Sequence, residues 1–246
     1  GVYASDWIQV GYDIDGEEAY NHLGSCVSLS KNGYVLHVAA PKYDNNTGRV
    51  YTYELVKKPI TSIVKMGTPI DGVNNNEHSA YNISSNADGT VIAIGSHWYD
   101  SKRGLVRIYK WNNSSWNDIG TIDGEATNDQ SGLSVSLNAD GTIVAISAPS
   151  NDGGGKGWGT GHVRVYDYVQ GRSPKEWDQL GDDILGETGS NHLGQSVSLS
   201  ADGTIVAAGS IYNDGGGKGS STGHVRVYKW NDSAWNQLGD DIDGEA

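Results

Sequence analysis

The stretch SVSLNADGTIVA (Ser134–Ala145) returns almost unchanged as SVSLSADGTIVA (Ser196–Ala207), and this repetition decides the fold. Two weaker copies precede this pair. The Asp-Gly or Asn-Gly turns of the four copies contain Gly33, Gly89, Gly141 and Gly203. A repeat of roughly 50 to 60 residues is typical of a propeller or a solenoid, in which every copy folds as one supersecondary unit.

Each copy contains four short segments of apolar and polar residues in alternation. In the third copy they are Val135–Leu137, Thr142–Ala145, Val163–Tyr166 and a segment that starts at Trp177. The Asp-Gly pair between the first two segments supplies the positive φ that a two-residue hairpin needs. Four antiparallel strands repeated around an axis predict an all-β propeller rather than a solenoid, whose rungs are parallel.

The sequence divides into four complete blades and a partial one within a single propeller domain. The expected boundaries are a partial blade with a third and a fourth strand at 1–22, and blades at 23–78, 79–130, 131–192 and 193–246, the last including the lead-in to a further blade. A bulky side chain begins each fourth strand, usually tryptophan. We expect these side chains to pack between blades, because stacked sheets need large apolar filler.

Composition excludes several classes of function. The formal net charge of the 246 residues is −13, and the acids recur in every copy, so nucleic acid is not an expected partner. No apolar run is long enough to predict insertion into a membrane. Asparagines in glycosylation triplets favour an extracellular or cell-surface protein and stand at Asn45, Asn112, Asn113 and Asn231.

The repeat resembles the FG-GAP repeat, the blade unit of α-integrin-type propellers. Leu193-Gly194 stands at the Phe-Gly step of that motif and Ala148-Pro149 at its Ala-Pro step, while His162–Tyr166 matches its third strand. The resemblance implies an integrin-like module for adhesion, recognition or scaffolding, and not a catalyst. Members of this family commonly bind calcium between the first two strands, but the turn here is too short to surround that ion.

Polar side chains recur in the loops that should open on one face of the propeller. One aligned set follows the second strand: Asp44, Asp100, Asp152 and Asp214. A second set precedes the first strand: His22, His78 and His192, with Glu77 and Asp129 at the neighbouring position. They could form a ring that binds a polar ligand or a divalent cation, calcium being the candidate cofactor. Alternatively, they hydrogen-bond their own backbone and shape the turns.

The sequence shows no asymmetric place with the residues of a catalytic site, so we expect no enzyme. The function predicted from these patterns is a non-catalytic surface propeller that presents its loop face to a protein or a glycan, within a longer chain or a larger assembly. Trp158, in a loop of the third copy, is a candidate contact residue. The alternatives are a lectin-like propeller with repeated carbohydrate sites, and an enzyme that acts on polysaccharide.

Overall fold

Four antiparallel sheets, one for each sequence copy, are arranged as propeller blades in the computed structural model of the chain. The structure describes residues 8–56, 62–171, 177–215 and 221–245. The prediction of an all-β propeller with four complete blades is therefore confirmed. No helix in these ranges is long and apolar enough to cross a membrane.

Each blade runs from a short first strand to a fourth strand that is interrupted in three of the four sheets. The first sheet contains β1 (Val27–Leu29), β2 (Val35–Ala40), β3 (Arg49–Val56), β4 (Ser62–Lys65) and β5 (Ile70–Asp71). The second contains β6 (Asn82–Ser85), β7 (Val91–Ser96), β8 (Leu105–Trp111) and β9 (Trp116–Asp123). The third contains β10 (Val135–Leu137), β11 (Ile143–Ala148), β12 (His162–Tyr168), β13 (Trp177–Gln179) and β14 (Ile184–Leu185). The fourth contains β15 (Ser196–Leu199), β16 (Ile205–Ser210), β17 (His224–Trp230), β18 (Trp235–Gln237) and β19 (Ile242–Asp243).

Two one-turn segments lie between the second and third strands of the first two blades, α1 (Tyr43–Asn46) and α2 (Tyr99–Lys102). Their central residues have positive φ, so they are tight left-handed turns rather than regular helix.

The turn between the first two strands is wider than the two-residue hairpin that the Asp-Gly pair predicted. In the third blade Leu137 pairs with Val144, and only Gly141 of the intervening residues has positive φ. The Asn138 side chain closes the turn, since its Oδ1 accepts hydrogen bonds from the backbone of Thr142 and Ile143 at 2.9 and 3.0 Å. This geometry leaves the backbone N–H of Ala139, within the turn, free to donate a hydrogen bond to the next blade.

Hydrogen bonds between the turns join the blades in a row. The backbone N–H of Lys31 donates to Ala87, that of Ala87 to Ala139, and that of Ala139 to Ala201, at 2.8 to 2.9 Å. Serine side chains of one first strand also accept from the backbone of the next, as Ser136 does from Leu199 at 2.9 Å.

The tryptophans that begin the fourth strands pack between blades, as predicted. Trp177 is 5% exposed, and its Nε1 donates to the carbonyl of Ile119 in the preceding blade at 3.2 Å. Trp235 repeats this contact with Leu180 at 2.8 Å. At these two joints the indoles provide apolar area and one directed hydrogen bond, whereas Nε1 of Trp116, at the joint of the first and second blades, is buried without a hydrogen-bond partner.

The outward-facing surfaces of the first and fourth blades differ from the surfaces that are buried between blades. Val163 and Ile184 are 0% and 4% exposed beneath the fourth blade, whereas the aligned Val225 and Ile242 of that blade are 37% and 62% exposed. At the other side, the described residues 8–14 of the expected partial blade form no strand. Its predicted third strand at Val2-Tyr3, and Trp7, lie outside the described residues, and the blade boundaries stay predictions.

Candidate functional site

An ion-pair cluster lies where the third strand of the third blade begins. His162 and Arg164 are two residues apart on β12 and therefore point to the same face of the sheet. Arg164 donates from Nε and Nη2 to the two carboxylate oxygens of Asp183 at 2.8 and 2.9 Å. It also pairs with Glu125, which comes from the connection between the second and third blades. One guanidinium is thus held by two carboxylates from separate elements.

The imidazole of His162 belongs to the same cluster but forms no hydrogen bond there. Its Nδ1 is buried without a partner, 3.7 Å from Asp183 Oδ2 and 3.9 Å from Glu125 Oε2. Burial, assisted by the positive charge of Arg164, lowers the pKa of His162. The imidazole is therefore neutral at neutral pH, and its partnerless Nδ1 can act as an electron-pair donor.

The pKa of Asp183 reflects two opposing effects. Burial raises the pKa of this carboxyl, but the hydrogen bonds from Arg164 and Gln179 outweigh that effect and bring the pKa below its usual value. The carboxylate is consequently ionised throughout the neutral range and keeps the guanidinium in place.

The fourth blade repeats the cluster residue for residue. Arg226 pairs with Asp241 and Glu187, and His224 Nδ1 lies 3.5 Å from Asp241 Oδ2. Burial and the neighbouring Arg226 lower the pKa of His224 as well. In the first two blades the position of the histidine is taken by Arg49 and Leu105, so the imidazole is confined to the third and fourth blades.

A cleft of about 500 Å³ opens beside the cluster of the third blade, at the joint with the second blade. Its lining includes Gly120, Asp123, Arg164, Tyr166, Trp177 and Gln179. The joint differs from the others because GTI (120–122) has one residue fewer than GDDI (181–184), and the pairing of β8 with β9 shifts between Ile108 and Tyr109. The cleft is therefore a place where the repeat symmetry is broken.

The predicted ring of loop aspartates consists of exposed side chains. Asp44 and Asp100 have positive φ at the centres of α1 and α2, and Asp100 pairs with Arg103 at 2.7 Å. Asp152 Oδ1 accepts from the backbone of Gly154 and Gly155, as a turn-shaping residue does. Asp214 is likewise exposed.

The residues predicted before the first strands have separate environments. His22 is exposed, whereas the ring of His78 is tilted against that of Trp98 with centroids 4.8 Å apart, and the ring of His192 lies edge-on to that of Trp158 with centroids 5.2 Å apart. Trp158 itself is 64% exposed. A role of these side chains in ligand binding stays a prediction.

Two acids of the predicted set are buried in local networks. Glu77 pairs with Arg107 of the second blade. Asp129 Oδ2 accepts from the backbone of Ala126 at 3.1 Å and from Asn151 Nδ2 at 2.8 Å. The four asparagines of the predicted glycosylation triplets, Asn45, Asn112, Asn113 and Asn231, are all exposed.

Groups able to hold a metal ion are present, but not where the sequence placed them. Within the part of the chain that the structure describes, they are Glu125–His162–Asp183 and Glu187–His224–Asp241, each with its donor atoms within 4.8 Å of one another. None of the residues in the two aligned sets named above belongs to either group. The sequence does contain a signal for these groups. The histidine before Val-Arg-Val occurs in the same two copies as the pairs Asp182-Asp183 and Asp240-Asp241.

Comparison with known proteins identifies no family and shows the fold. No protein-family model and no curated protein matches the chain. The solved structure of the periplasmic gluconolactonase PpgL from Pseudomonas aeruginosa is 14% identical, with a TM-score of 0.62, over 91% of this chain and 58% of that one. A protein from Bacteroides uniformis ATCC 8492, assigned as a 6-phosphogluconolactonase, is 10% identical with a TM-score of 0.59, over 89% of this chain and 56% of that one.

These neighbours correct the functional expectation drawn from the sequence. The chain spans somewhat more than half the length of both structures, and at this identity the likeness establishes the propeller fold. The assignment to FG-GAP, integrin-like adhesion propellers was wrong, and so was the expectation of a non-catalytic module, because the proteins that share the fold are described as lactonases. The resemblance depended on short motifs such as Leu193-Gly194 and Ala148-Pro149, which indicate the fold, and one fold can carry many different functions.

Proposed function

We propose that this chain is a propeller hydrolase that opens the lactone ring of a sugar acid in the cleft between the second and third blades. The observation that carries the proposal is the cleft of about 500 Å³ at a joint where the repeat is broken. An enzyme needs one place that differs from its repeats, and this place combines a guanidinium with a carboxylate. The description of one structural neighbour as a gluconolactonase supports the choice of reaction.

Arg164 and Asp123 are the residues to which we assign the chemistry, since both line the cleft. The carboxylate of Asp123 takes a proton from a water molecule, whose oxygen then attacks the lactone carbonyl carbon. Arg164 stabilises the negative charge that develops on the carbonyl oxygen. The proton passes to the ring oxygen as its bond to the acyl carbon breaks, and the open-chain sugar acid leaves.

Glu125 and Asp183 act as positioning residues in this scheme. They hold Arg164 from two sides, and Gln179 Nε2 donates to Asp183 Oδ1 at 2.7 Å. Both carboxylates share one guanidinium, so its direction is fixed before a substrate enters. Such preorganisation is what makes a cationic group effective in a transition state.

The charge of the chain favours an uncharged lactone over a phosphorylated one. A formal net charge of −13 repels a phosphate ester during approach, whereas it does not affect glucono-1,5-lactone. We therefore expect a higher kcat/KM for the uncharged lactone than for its 6-phosphate.

The proposal assigns no role to calcium. It includes a location of the protein outside the cytosol. Each metal-capable group includes an imidazole nitrogen, whereas calcium prefers six to eight oxygen ligands. The periplasmic description of one neighbour and the exposed asparagine triplets support a location outside the cytosol.

The experiment is hydrolysis of D-glucono-1,5-lactone, followed in a pH-stat because the product acid releases a proton. We expect Arg164→Gln to lower kcat by about 100-fold or more, the range for a lost oxyanion donor. The matched control is Arg226→Gln, which breaks the same ion-pair network in the fourth blade but does not line the cleft. Its kcat should stay close to that of the unaltered chain. Hydrolysis no faster than the spontaneous reaction, or equal losses in both variants, would contradict the proposal.

A further inference from the structure

We propose that the chain binds two divalent transition-metal ions, one at Glu125–His162–Asp183 and one at Glu187–His224–Asp241. Each group offers one imidazole nitrogen and two carboxylate oxygens from three separate elements. This mixed donor set suits zinc and its neighbours in the first transition row. The inference does not rest on the proposed hydrolysis, because the second group lies in the fourth blade, away from the cleft.

The buried imidazole of His162 points to a ligand more directly than the acids do. Its side chain is 5% exposed, and Nδ1 has no hydrogen-bond partner in the protein. A buried polar atom without a partner is costly, and native structures rarely leave one. Because Nδ1 faces two carboxylates at 3.7 and 3.9 Å, a cation between them would satisfy all three groups.

The distances between the donor atoms are close to those of a metal centre. Zinc bonds of about 2.0–2.2 Å in tetrahedral geometry place neighbouring donor atoms about 3.4 Å apart. Nδ1 of His224 lies 3.5 Å from Asp241 Oδ2, so that pair is already at the required separation. In the group of the third blade, the two distances from Nδ1 of His162 to the carboxylates, 3.7 and 3.9 Å, need to contract by a few tenths of an ångström.

The arginine of each cluster orients the ligands instead of occupying the metal position. Arg164 contacts Oε1 of Glu125, whereas Oε2 is the oxygen that faces His162. Asp183 has two lone pairs on each oxygen, so Oδ2 can accept from Arg164 and also face Nδ1. Carboxylate ligands of metals are commonly held in this way by an outer hydrogen bond.

The first two blades should not bind a transition-metal ion at the equivalent position. Arg49 and Leu105 stand at the position of the histidine, and neither is a ligand for a transition metal. A general affinity of acidic blades for cations would give four sites or more. The proposal gives two.

Zinc binding is measured by isothermal titration and by metal analysis after equilibrium dialysis. We expect two ions per chain, one in His162→Ala, one in His224→Ala and none in the double variant. The matched control is His192→Ala, which removes a histidine next to Trp158 and outside both groups, and which should keep two ions. Two ions retained by the folded double variant, or no binding by the unaltered chain, would overturn the proposal.

A second measurement on the unaltered chain guards against variants that fail to fold. In a sample with ¹⁵N-labelled histidine, zinc should shift the Nδ1 resonances of two of the seven imidazoles. Cobalt in place of zinc should give visible absorption bands that saturate at two equivalents. Shifts spread over exposed histidines, with no saturation, would indicate adventitious surface binding and refute the two sites.

Discussion

Arg107 forms an ion pair with Glu77, whose side chain is completely buried in the second blade. The carboxylate also accepts from the backbone of Val73 and Asn74 at 3.1 and 3.0 Å and from Ser96 Oγ at 3.1 Å. In the third and fourth blades the acid comes from Glu125 and Glu187, but the aligned residue of the second blade is Val73. Glu77, four residues later, therefore supplies the charge that the arginine of this blade requires.

Replacing Glu77 by glutamine should destabilise the protein strongly. Arg107 would remain buried without a counter-charge, and loss of one partner of a buried pair costs about 3–5 kcal/mol. The matched change is Glu125→Gln, where the carboxylate is 46% exposed and Arg164 keeps Asp183, so we expect less than about 1 kcal/mol. The free energy of unfolding in urea distinguishes the two, and equal values would show that burial of Glu77 is not what matters.

Gly120 is required by the close approach of the second blade to Trp177. A Cβ at Gly120 would lie 2.6 Å from Nε1 of that indole, and the φ of this residue is 152°. We expect Gly120→Ala to cost about 2–3 kcal/mol through overpacking and backbone strain. Urea unfolding measures this loss of stability. The added Cβ should also narrow the cleft and lower the rate of hydrolysis.

The aligned Gly239 of the fourth blade separates strain from packing. It has φ of 75°, and a Cβ added to it would meet no atom within 4 Å beyond its chain neighbours, so Gly239→Ala should cost only about 1 kcal/mol. A loss as large as that of Gly120→Ala would refute the role of the inter-blade contact.

Truncation of the two tryptophans of the third blade should change the free energy of unfolding by very different amounts. Trp177→Ala leaves a cavity between two blades and an unpaired carbonyl at Ile119, which should lower the free energy of unfolding by about 3–5 kcal/mol. Trp158→Ala removes a side chain that is 64% exposed, and should stay within about 0.5 kcal/mol. Thermal and urea unfolding of both variants test this contrast, and a stability loss in Trp158→Ala would contradict it.

Stability should fall as the pH drops from about 6.5 to about 4. Burial lowers the pKa of His37 from 6.5 to about 4, although its bond to the carbonyl of Gly89 acts in the opposite direction. In that window the unfolded chain binds a proton at His37 that the folded chain does not. The contribution of neutral His37 to the free energy of unfolding is therefore complete above pH 6.5 and lost by about pH 4. The shift corresponds to about 3 kcal/mol.

His37→Gln should flatten this dependence, because glutamine does not titrate and can still bond to Thr52 and Gly89. Burial also lowers the pKa of His97, to about 3, so part of the dependence should persist. The control is His22→Gln, an exposed position that should leave the curve unchanged. Urea unfolding at intervals from pH 4 to 7 gives the slopes, and an unchanged slope in His37→Gln would disprove the assignment.

The fold was predictable because the repeat encodes it locally. Alternating apolar residues in Val163–Tyr166 specify a strand, and the turn at Gly141 fixes where the chain reverses. The candidate site was not predictable in the same way. Glu125, His162 and Asp183 are distant in sequence, and the pattern of the repeat directed attention to the exposed loop aspartates, of which Asp152 accepts a hydrogen bond from the backbone of its own turn.

The sequence by itself therefore determined that each repeat forms a four-stranded sheet, and it determined the packing role of Trp177 and Trp235. These features follow from periodicity and turn chemistry within one repeat. Only the tertiary structure decided which charges meet and where a cleft opens. Within its own blade the one-residue difference at Gly120–Ile122 accompanies a shift in the pairing of β8 with β9. A cleft opens there only because the next blade presents Trp177 and Arg164 to it. Contacts between blades depend on how two rigid sheets fit together, which the residues of either sheet alone do not specify.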